Sequence, residues 1–319
     1  MRRLAAFCLT IVLLSSSNLR AQLNVYFVNV GQGDSEYIEL PSGGNVLIDG
    51  GPSGTPIYNF LKAKGVTKID HVVLTHPHSD HYTGLKKVFT DFEVKNFYDT
   101  GLDNVSAAGD NKLRELAAAE PGCTTYHPKT GDGLNWDRQV TVKVLNSCPE
   151  PLQSNDEHII NDCSIVLRLY YNGNGLLFTG DAEAPLEQTI TRTFGAEINS
   201  SVLKVSHHGS RYSSDAGFLA AVLPKYAFIS AGLNNSYGFP TKEALDRLTA
   251  VGAKIFLTTN GTQTVTIPAP GQGTEPIVNG QVMTAEQKFV DMTLTWAPSG
   301  LESANSKALE QLKSQAPVK

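Results

Sequence analysis

The chain has 319 residues, 41% of them hydrophobic and 18% charged, with a formal charge of -5. That composition provides a large globular core, and its acidic balance argues against the broad electrostatic grip that basic domains have on nucleic acid. A nucleic-acid substrate stays open, because bound metal ions bring their own positive charge to a site.

Arg2 and Arg3 precede an apolar run from Leu4 to Leu14, followed by Ser15-Ser16-Ser17 and Leu19-Arg20-Ala21-Gln22. A basic start, a short apolar core and a small residue before a polar one predict a signal peptide over 1-21, cleaved after Ala21. The run is too short to span a bilayer comfortably. No later segment is apolar enough to do so, and the mature chain is expected to be exported, periplasmic or secreted, with no integral membrane segment. Cleavage takes away three arginines and brings the formal charge to -8. Cys123, Cys148 and Cys163 then remain; an oxidising compartment permits one disulfide, and the sequence does not choose the pair. Cys163 lies near a candidate site region and is a minor extra ligand candidate.

Residues 22-297 read as one domain of two similar halves, and 298-319, rich in Ser, Lys, Gln and Ala, as a solvated tail. In the first half, strands are expected over Asn24 to Val30, Ser35 to Leu40, Asn45 to Ile48, Ile69 to Leu74 and Lys95 to Tyr98. Helices are expected from Thr55-Pro56 to Lys64, over Leu85 to Phe89 and over Asn111 to Ala119. In the second half, Ser164 to Tyr171 and Leu176 to Thr179 flank Asn172-Gly173-Asn174-Gly175, a hairpin signal. Strands are also expected over Val140 to Leu145, Ser201 to Ser206, Tyr226 to Ser230, Ile255 to Leu257, Thr262 to Ile267 and Phe289 to Trp296. Helices fall at Ala184 to Phe194, Phe218 to Leu223 and Lys242 to Ala250. This alternation predicts an α+β fold with two sheets face to face and helices outside.

The strand His71-Val72-Val73-Leu74 runs into Thr75-His76-Pro77-His78-Ser79-Asp80-His81. Three of the chain's 8 histidines and an aspartate fall in that window, and no packing need explains such density. His76 and His78, two apart, share one side of an extended backbone. Asp80 and His81 follow where the chain has turned, so one segment can offer two ligands to each of two neighbouring ions. Imidazole with carboxylate suits zinc, manganese or iron.

Three more strand exits carry ligand-type residues. Leu177-Phe178-Thr179-Gly180-Asp181 presents Asp181 where one carboxylate can bridge two ions. Leu203 to Ser210 ends a strand on His207-His208-Gly209. Asn45 to Gly51 places Asp49 where it can orient a ligand from behind.

The His76-to-His81 segment, followed by Tyr82-Thr83-Gly84, resembles the signature of the metallo-β-lactamase fold superfamily. Within it, Val28 to Ser35, Ser164 to Leu169, Leu177 to Glu183, Leu203 to Arg211 and Tyr237-Gly238-Phe239-Pro240 resemble the hydrolase domain of ComEC-type DNA-uptake proteins, over about residues 25-265. The resemblance implies a four-layer αββα sandwich with the metal site at one edge of the sheets. It assigns His76 and His78 to a first ion and Asp80 and His81 to a second. Asp181 would bridge the two, and His207 or His208 would complete the second. Two departures stand out. Where many members place a histidine ahead of the hairpin, this chain has Asn161 or Asp162, with His158 upstream. The expected Tyr-Gly-His-Pro reads Tyr237-Gly238-Phe239-Pro240, and phenylalanine neither ligates nor donates a proton.

The chemistry expected of two divalent ions, zinc or manganese, is hydrolysis by a metal-bound hydroxide that Asp80 or Asp181 orients. Lys204, Ser210 and Arg211 are candidates for contacting an anionic substrate. The implied substrate is a phosphodiester, either a small molecule or nucleic acid. Carbonyl hydrolysis of a lactone, thioester or β-lactam is the alternative among enzymes, and a non-catalytic metal-binding scaffold the alternative outside them. No Gly-x-Ser-x-Gly elbow is present, which disfavours a serine nucleophile.

Overall fold

The structure, a computed structural model, describes residues 22-148 and 153-283. The expected signal peptide, the strand over Phe289 to Trp296 and the tail over 298-319 lie outside the described residues.

Two sheets form the centre. The first has eight strands in the order Ile277–Asn279, Gln263–Ile267, Leu23–Phe27, Glu36–Glu39, Asn45–Ile48, His71–Val73, Asn96–Tyr98 and Thr124–Tyr126. The second has seven, in the order Gly133–Asp137, Val140–Asn146, Val166–Tyr171, Asn174–Phe178, Val202–Lys204, Tyr226–Ile229 and Lys254–Leu257. Each sheet is antiparallel in one part and parallel in the other. In the first, the parallel pairs run from Asn45–Ile48 to Thr124–Tyr126; in the second, they run from Asn174–Phe178 to Lys254–Leu257.

Successive side chains of a strand leave opposite faces, and here both faces are apolar. Val46 and Ile48 point into the core between the sheets while Leu47 points out. Phe178 and Phe228 point in, while Leu177, Ala227 and Ile229 point out. The strands therefore read as continuous apolar runs, as expected of sheets covered on both sides. Outside the first sheet pack α1 (Gly54–Ala63), α2 (Ser79–Asp91) and α3 (Gly109–Ala119), through Ile57, Leu61, Leu85, Val88 and Leu113. The short α4 (Glu157–Asp162) caps one end on Asp156. Outside the second sheet lie α5 (Ala184–Phe194), α6 (Ala216–Val222) and α7 (Lys242–Ala250), through Leu186, Ile190, Phe218, Leu219, Leu245 and Leu248. The layers are helix, sheet, sheet, helix, as expected.

Several elements differ from the sequence reading. The segment over Ile69 to Leu74 is split: Lys68–Ile69 pairs with Glu93–Val94, and only His71–Val73 joins the main sheet. Helix α1 has Ser53 rather than Thr55 at its N-cap position, with no side-chain capping bond. Helix α2 starts at Ser79, well before Leu85, so Asp80 and His81 lie in its first turn. The outer strands Thr124–Tyr126, Gly133–Asp137 and Ile277–Asn279 were not expected: Thr124–Tyr126 and Ile277–Asn279 are short and largely exposed, and Gly133–Asp137 turns only Leu134 and Trp136 to the core. Cys148 and Cys163 form the disulfide and Cys123 is the free thiol, so Cys163 is not a ligand.

The face-to-face contact is closed by Phe27 of the first sheet on Phe228 of the second, with ring centroids 4.0 Å apart and planes 6° from parallel. Both rings are fully buried. Phe228→Ala is expected to lower the unfolding free energy by about 3–5 kcal/mol, measured as a drop in the urea midpoint at unchanged slope.

Candidate metal centre

The exits of the parallel strands meet at one edge of the two sheets. Asn45–Ile48 delivers Asp49, His71–Val73 delivers His76, Asn174–Phe178 delivers Asp181, and Val202–Lys204 delivers His207 and His208. The turns are tight: Asp49, His207 and His208 all have left-handed backbone, with φ of 54°, 48° and 54°. Helix α2 seats against the Asp49 turn, with Gly50 donating to the His81 carbonyl and Gly84 donating to the Gly51 carbonyl. A Cβ at Gly84 would lie 1.8 Å from the Gly50 carbonyl oxygen, so only glycine permits this approach.

The geometry converges on one oxygen. Asp181 Oδ2 lies 3.3 Å from His81 Nε2, 3.3 Å from His208 Nε2, 3.7 Å from His76 Nε2 and 3.9 Å from His207 Nε2. His76 Nε2 is 2.9 Å from His78 Nδ1, and Asp80 Oδ2 is 3.3 Å from His208 Nε2. Two triads, His76-His81-Asp181 and Asp80-His81-His208, bring one ligand atom from each residue close together.

The backs of the imidazoles are tied. His81 Nδ1 is 2.7 Å from Asp49 Oδ2, and Asp49 also accepts from the Thr75 amide and hydroxyl at 2.8 and 2.6 Å. His208 Nδ1 lies 2.9 Å from the Ser230 carbonyl, and His78 Nε2 lies 2.8 Å from Glu157. With Nδ1 of His81 and of His208 engaged outward, their Nε2 atoms point inward. Both atoms, and Asp181 Oδ1, are buried with no hydrogen-bond partner. Buried polar atoms are rarely left so, and imidazole plus carboxylate is the donor set of zinc, manganese or iron. The residues present fit divalent cations.

Charge tells the same story. Burial alone would lower the His81 pKa, but Asp181, Asp49 and Asp80 together hold it well above its usual value. Burial likewise opposes a charged His208, and Asp181 and Asp34 outweigh it. Asp181 itself, despite burial that raises a carboxyl, is held well below the usual range by His208, His81 and His207. Buried carboxylates and imidazoles thus shift one another strongly across this centre.

The remaining candidates fall into place or out of it. Of His207 and His208, either of which was expected to complete the second ligand set, His208 is the imidazole beside Asp80. The left-handed turn reverses the chain at each residue, so the two adjacent rings diverge, and His207 Nδ1 lies instead 3.4 Å from Glu183. Asn161 lines the cleft, donates to Glu183 at 2.9 Å and has a buried, unpartnered Oδ1. Asp162 accepts from the Glu183 amide and does not line the cleft. His158, 2.7 Å from Glu183, sits at the rim. Lys204, expected at the substrate, is buried instead: its strand is covered on both faces, and its Nζ lies 2.5 Å from Asp34 and donates to the Val205 carbonyl. Ser210 and Arg211 do line the cleft, which has a volume of about 670 Å³. His71 stacks on Trp136 and meets Tyr98, and His127 meets the Asp99 carbonyl, both away from the site.

Two contributors escaped the sequence reading. Asp34 lies 3.3 Å from His208 Nδ1, and Glu183 gathers His158, Asn161 and His207. Both stood inside strings read only for their resemblance, and neither type nor spacing marked them as ligand neighbours.

The profile of the metallo-β-lactamase superfamily matches residues 28-232. The chain is 32% identical over 268 residues to ComE operon protein 3 of Bacillus subtilis (strain 168), covering 76% of this chain and 33% of that protein. It is also 32% identical over 233 residues to competence protein ComA of Neisseria gonorrhoeae, covering 72% and 30%. The match thus spans about a third of the length of these relatives. Among solved structures, a metallo hydrolase of Ignicoccus hospitalis, Igni18, aligns at TM-score 0.46 and 15% identity over 81% of this chain and 99% of that one.

Asp49→Ala leaves the buried His81 without the partner that orients it. Metal affinity is expected to fall about 10–100-fold, measured by calorimetric titration of zinc or manganese into chelator-stripped protein.

Proposed function

The chain belongs to the metallo-β-lactamase superfamily, and from that premise we propose that it is an exported hydrolase that cleaves phosphodiester bonds with two divalent ions, zinc or manganese. The observation that carries this reading is the convergence of His76, His81, His207 and His208 on the buried Asp181. His76, His78 and Asp181 would hold one ion. Asp80, His81 and His208, with Asp181 shared, would hold the other. Such ions, when bound, polarise the scissile group and lower the pKa of water.

The protein's own groups then have distinct tasks. Asp181, with its side chain 3% exposed in the cleft lining, would be the shared anion. Asp80, at 27%, opens onto the cleft and is the carboxylate that can orient an attacking water by accepting its hydrogen bond. Asp49 and Glu183 hold His81 and His207 from behind. Arg211, exposed in the cleft lining, can meet the negative charge of a phosphodiester.

Phosphodiesters are favoured over carbonyl substrates because the resemblance to ComEC-type DNA-uptake proteins implies a nucleic-acid substrate, and one relative is named competence protein ComA. Export is supported by the residues over 1-21 and by the Cys148–Cys163 disulfide, since such bonds persist in oxidising compartments. Among the described residues no helix is long and apolar enough to cross a membrane.

Metal analysis with hydrolysis of bis(p-nitrophenyl) phosphate tests the reading. Wild type is expected to carry two equivalents of metal and to turn over in a metal-dependent way. Asp181→Ala is expected to lose both properties, His208→Ala one equivalent, and Asp80→Ala at least 100-fold in rate. A folded wild-type protein that takes up no metal would sink the assignment. Separately, amino-terminal sequencing of protein recovered from outside the cytoplasm is expected to begin at Gln22; a start at Met1 would count against cleavage.

A further inference from the structure

The cleft that leads to the metal centre has an uneven wall. Asp80, Glu157, Asp181 and Glu183 line it, and among the described residues Arg211 is its only lysine or arginine. A long polyanion gains little from such a surface beyond the metal ions themselves, because each further phosphate meets carboxylates rather than cations. Selective affinity has to come from elsewhere.

The other wall is aromatic. Tyr237 is 66% exposed and Tyr212 59% exposed, and both line the cleft. Tyr237 stacks on Phe239 with centroids 5.5 Å apart and planes 15° from parallel. Phe239 in turn lies 6.2 Å from the His208 ring at 29°. Flat faces thus run in series from a ligand imidazole outward to solvent, ending on an uncovered tyrosine.

The loop holding this series is rigid. Asn235 donates to the carbonyls of Gly232 and Phe239, at 2.9 and 2.6 Å, and accepts from the amides of Tyr237 and Phe239, at 3.2 and 3.0 Å. One side chain fixes four backbone groups, so the rings are presented rather than loose. Gln32 is tied to the same loop through the Gly232 amide, at 3.0 Å. Gln32 lines the cleft, and its Nε2, buried just behind that surface, has no hydrogen-bond partner. Asn161, which also lines the cleft, has in its Oδ1 an acceptor in the same condition. The cleft therefore combines a flat apolar face with an unused donor and an unused acceptor among its lining residues.

We propose that Tyr237 and Phe239, with Gln32 beside them, form a nucleobase subsite next to the metal centre, so that the substrate is a short, base-bearing phosphodiester rather than a duplex or a simple alkyl ester. A base has a flat face for the ring and an edge with donors and acceptors for Gln32 and Asn161, and it brings no charge to the acidic wall. Alkyl groups supply no such edge, and a duplex keeps its base faces stacked inside. The phenylalanine at 239, where a histidine is expected from the resemblance, then adds apolar face to this surface. The assignment of the substrate rests on the hydrolase reading; the binding surface does not.

The test compares thymidine 5′-monophosphate with ribose 5-phosphate by calorimetry on the metal-loaded protein. The nucleotide is expected to bind roughly 5–100-fold more tightly, the margin to collapse in Tyr237→Ala and to return in Tyr237→Phe. Equal affinity in wild type, or a margin that survives Tyr237→Ala, overturns the proposal. Thymidine itself, offered to chelator-stripped protein, needs the rings and no metal. Its binding, lost in Tyr237→Ala and restored in Tyr237→Phe, sustains the subsite even if no phosphodiester is hydrolysed, an outcome that would remove the hydrolase reading alone. Turnover of bis(p-nitrophenyl) phosphate with no preference for the nucleotide would remove the subsite and keep the hydrolase.

Discussion

The structure turns on a cost. Asp181 is a carboxylate buried at the junction of two sheets, surrounded by side chains that are themselves nearly inaccessible. An isolated charge in such a place is expensive, and the imidazoles around it offset the cost only in part, since each must lose water too. Burial pushes His76 well below the usual imidazole pKa, with the neighbouring His81 adding to the effect, while His81 and His208 are driven the other way by carboxylates. Rings of one type, within reach of one oxygen, are thus pushed in opposite directions. Divalent cations would suit this set, because they take neutral imidazole and ionised carboxylate together.

The fold supplies this convergence by topology. Parallel strands all release their chains at the same sheet edge, and each sheet has a parallel part, so the two sheets present their exits together. The exits are held in backbone conformations that side-chain-bearing residues adopt reluctantly, at Asp49, His207 and His208. Such strain persists where surrounding contacts over-determine it: the Asp49 carboxylate is engaged by Thr75 and His81, and Thr241 bonds to the Gly209 carbonyl beside the histidine pair.

Much of this was legible in the sequence, and the reason differs by element. The Asn172-Gly173 turn is visible because both residues must take positive φ, here 43° and 81°. The parallel strands are visible because both their faces are apolar. The metal segment is visible because histidine is scarce in this chain and three fall together. What stayed hidden depends on direction rather than on type. His207 and His208 are equivalent on paper, and only the turn decides which ring meets Asp80. Lys204 looks like a substrate contact until its strand is seen to be covered on both sides. The pairing of Cys148 with Cys163, leaving Cys123 free, requires knowing that α4 folds back over the end of Val140–Asn146.

Lys204 shows how far the ligand set extends into the core. Its ammonium is fully buried with Asp34, and Asp34 also faces the Nδ1 side of His208. Buried ion pairs seldom stabilise a fold more than apolar residues of similar size would, so stability alone is a weak account of this one. Its consequence is electrostatic. Burial raises a carboxyl pKa, yet Lys204 and His208 hold Asp34 below its usual value, while the neighbouring Glu36 is pushed well above its own by burial and by Asp34. The two neighbouring carboxyls are thereby pushed in opposite directions, with the one behind His208 favoured as the anion. A negative charge on the far side of a ligand imidazole fixes its tautomer and raises its basicity. The reach of the centre is therefore Lys204 to Asp34 to His208 to Asp181, a chain of alternating partners of which only the last two are candidate ligands.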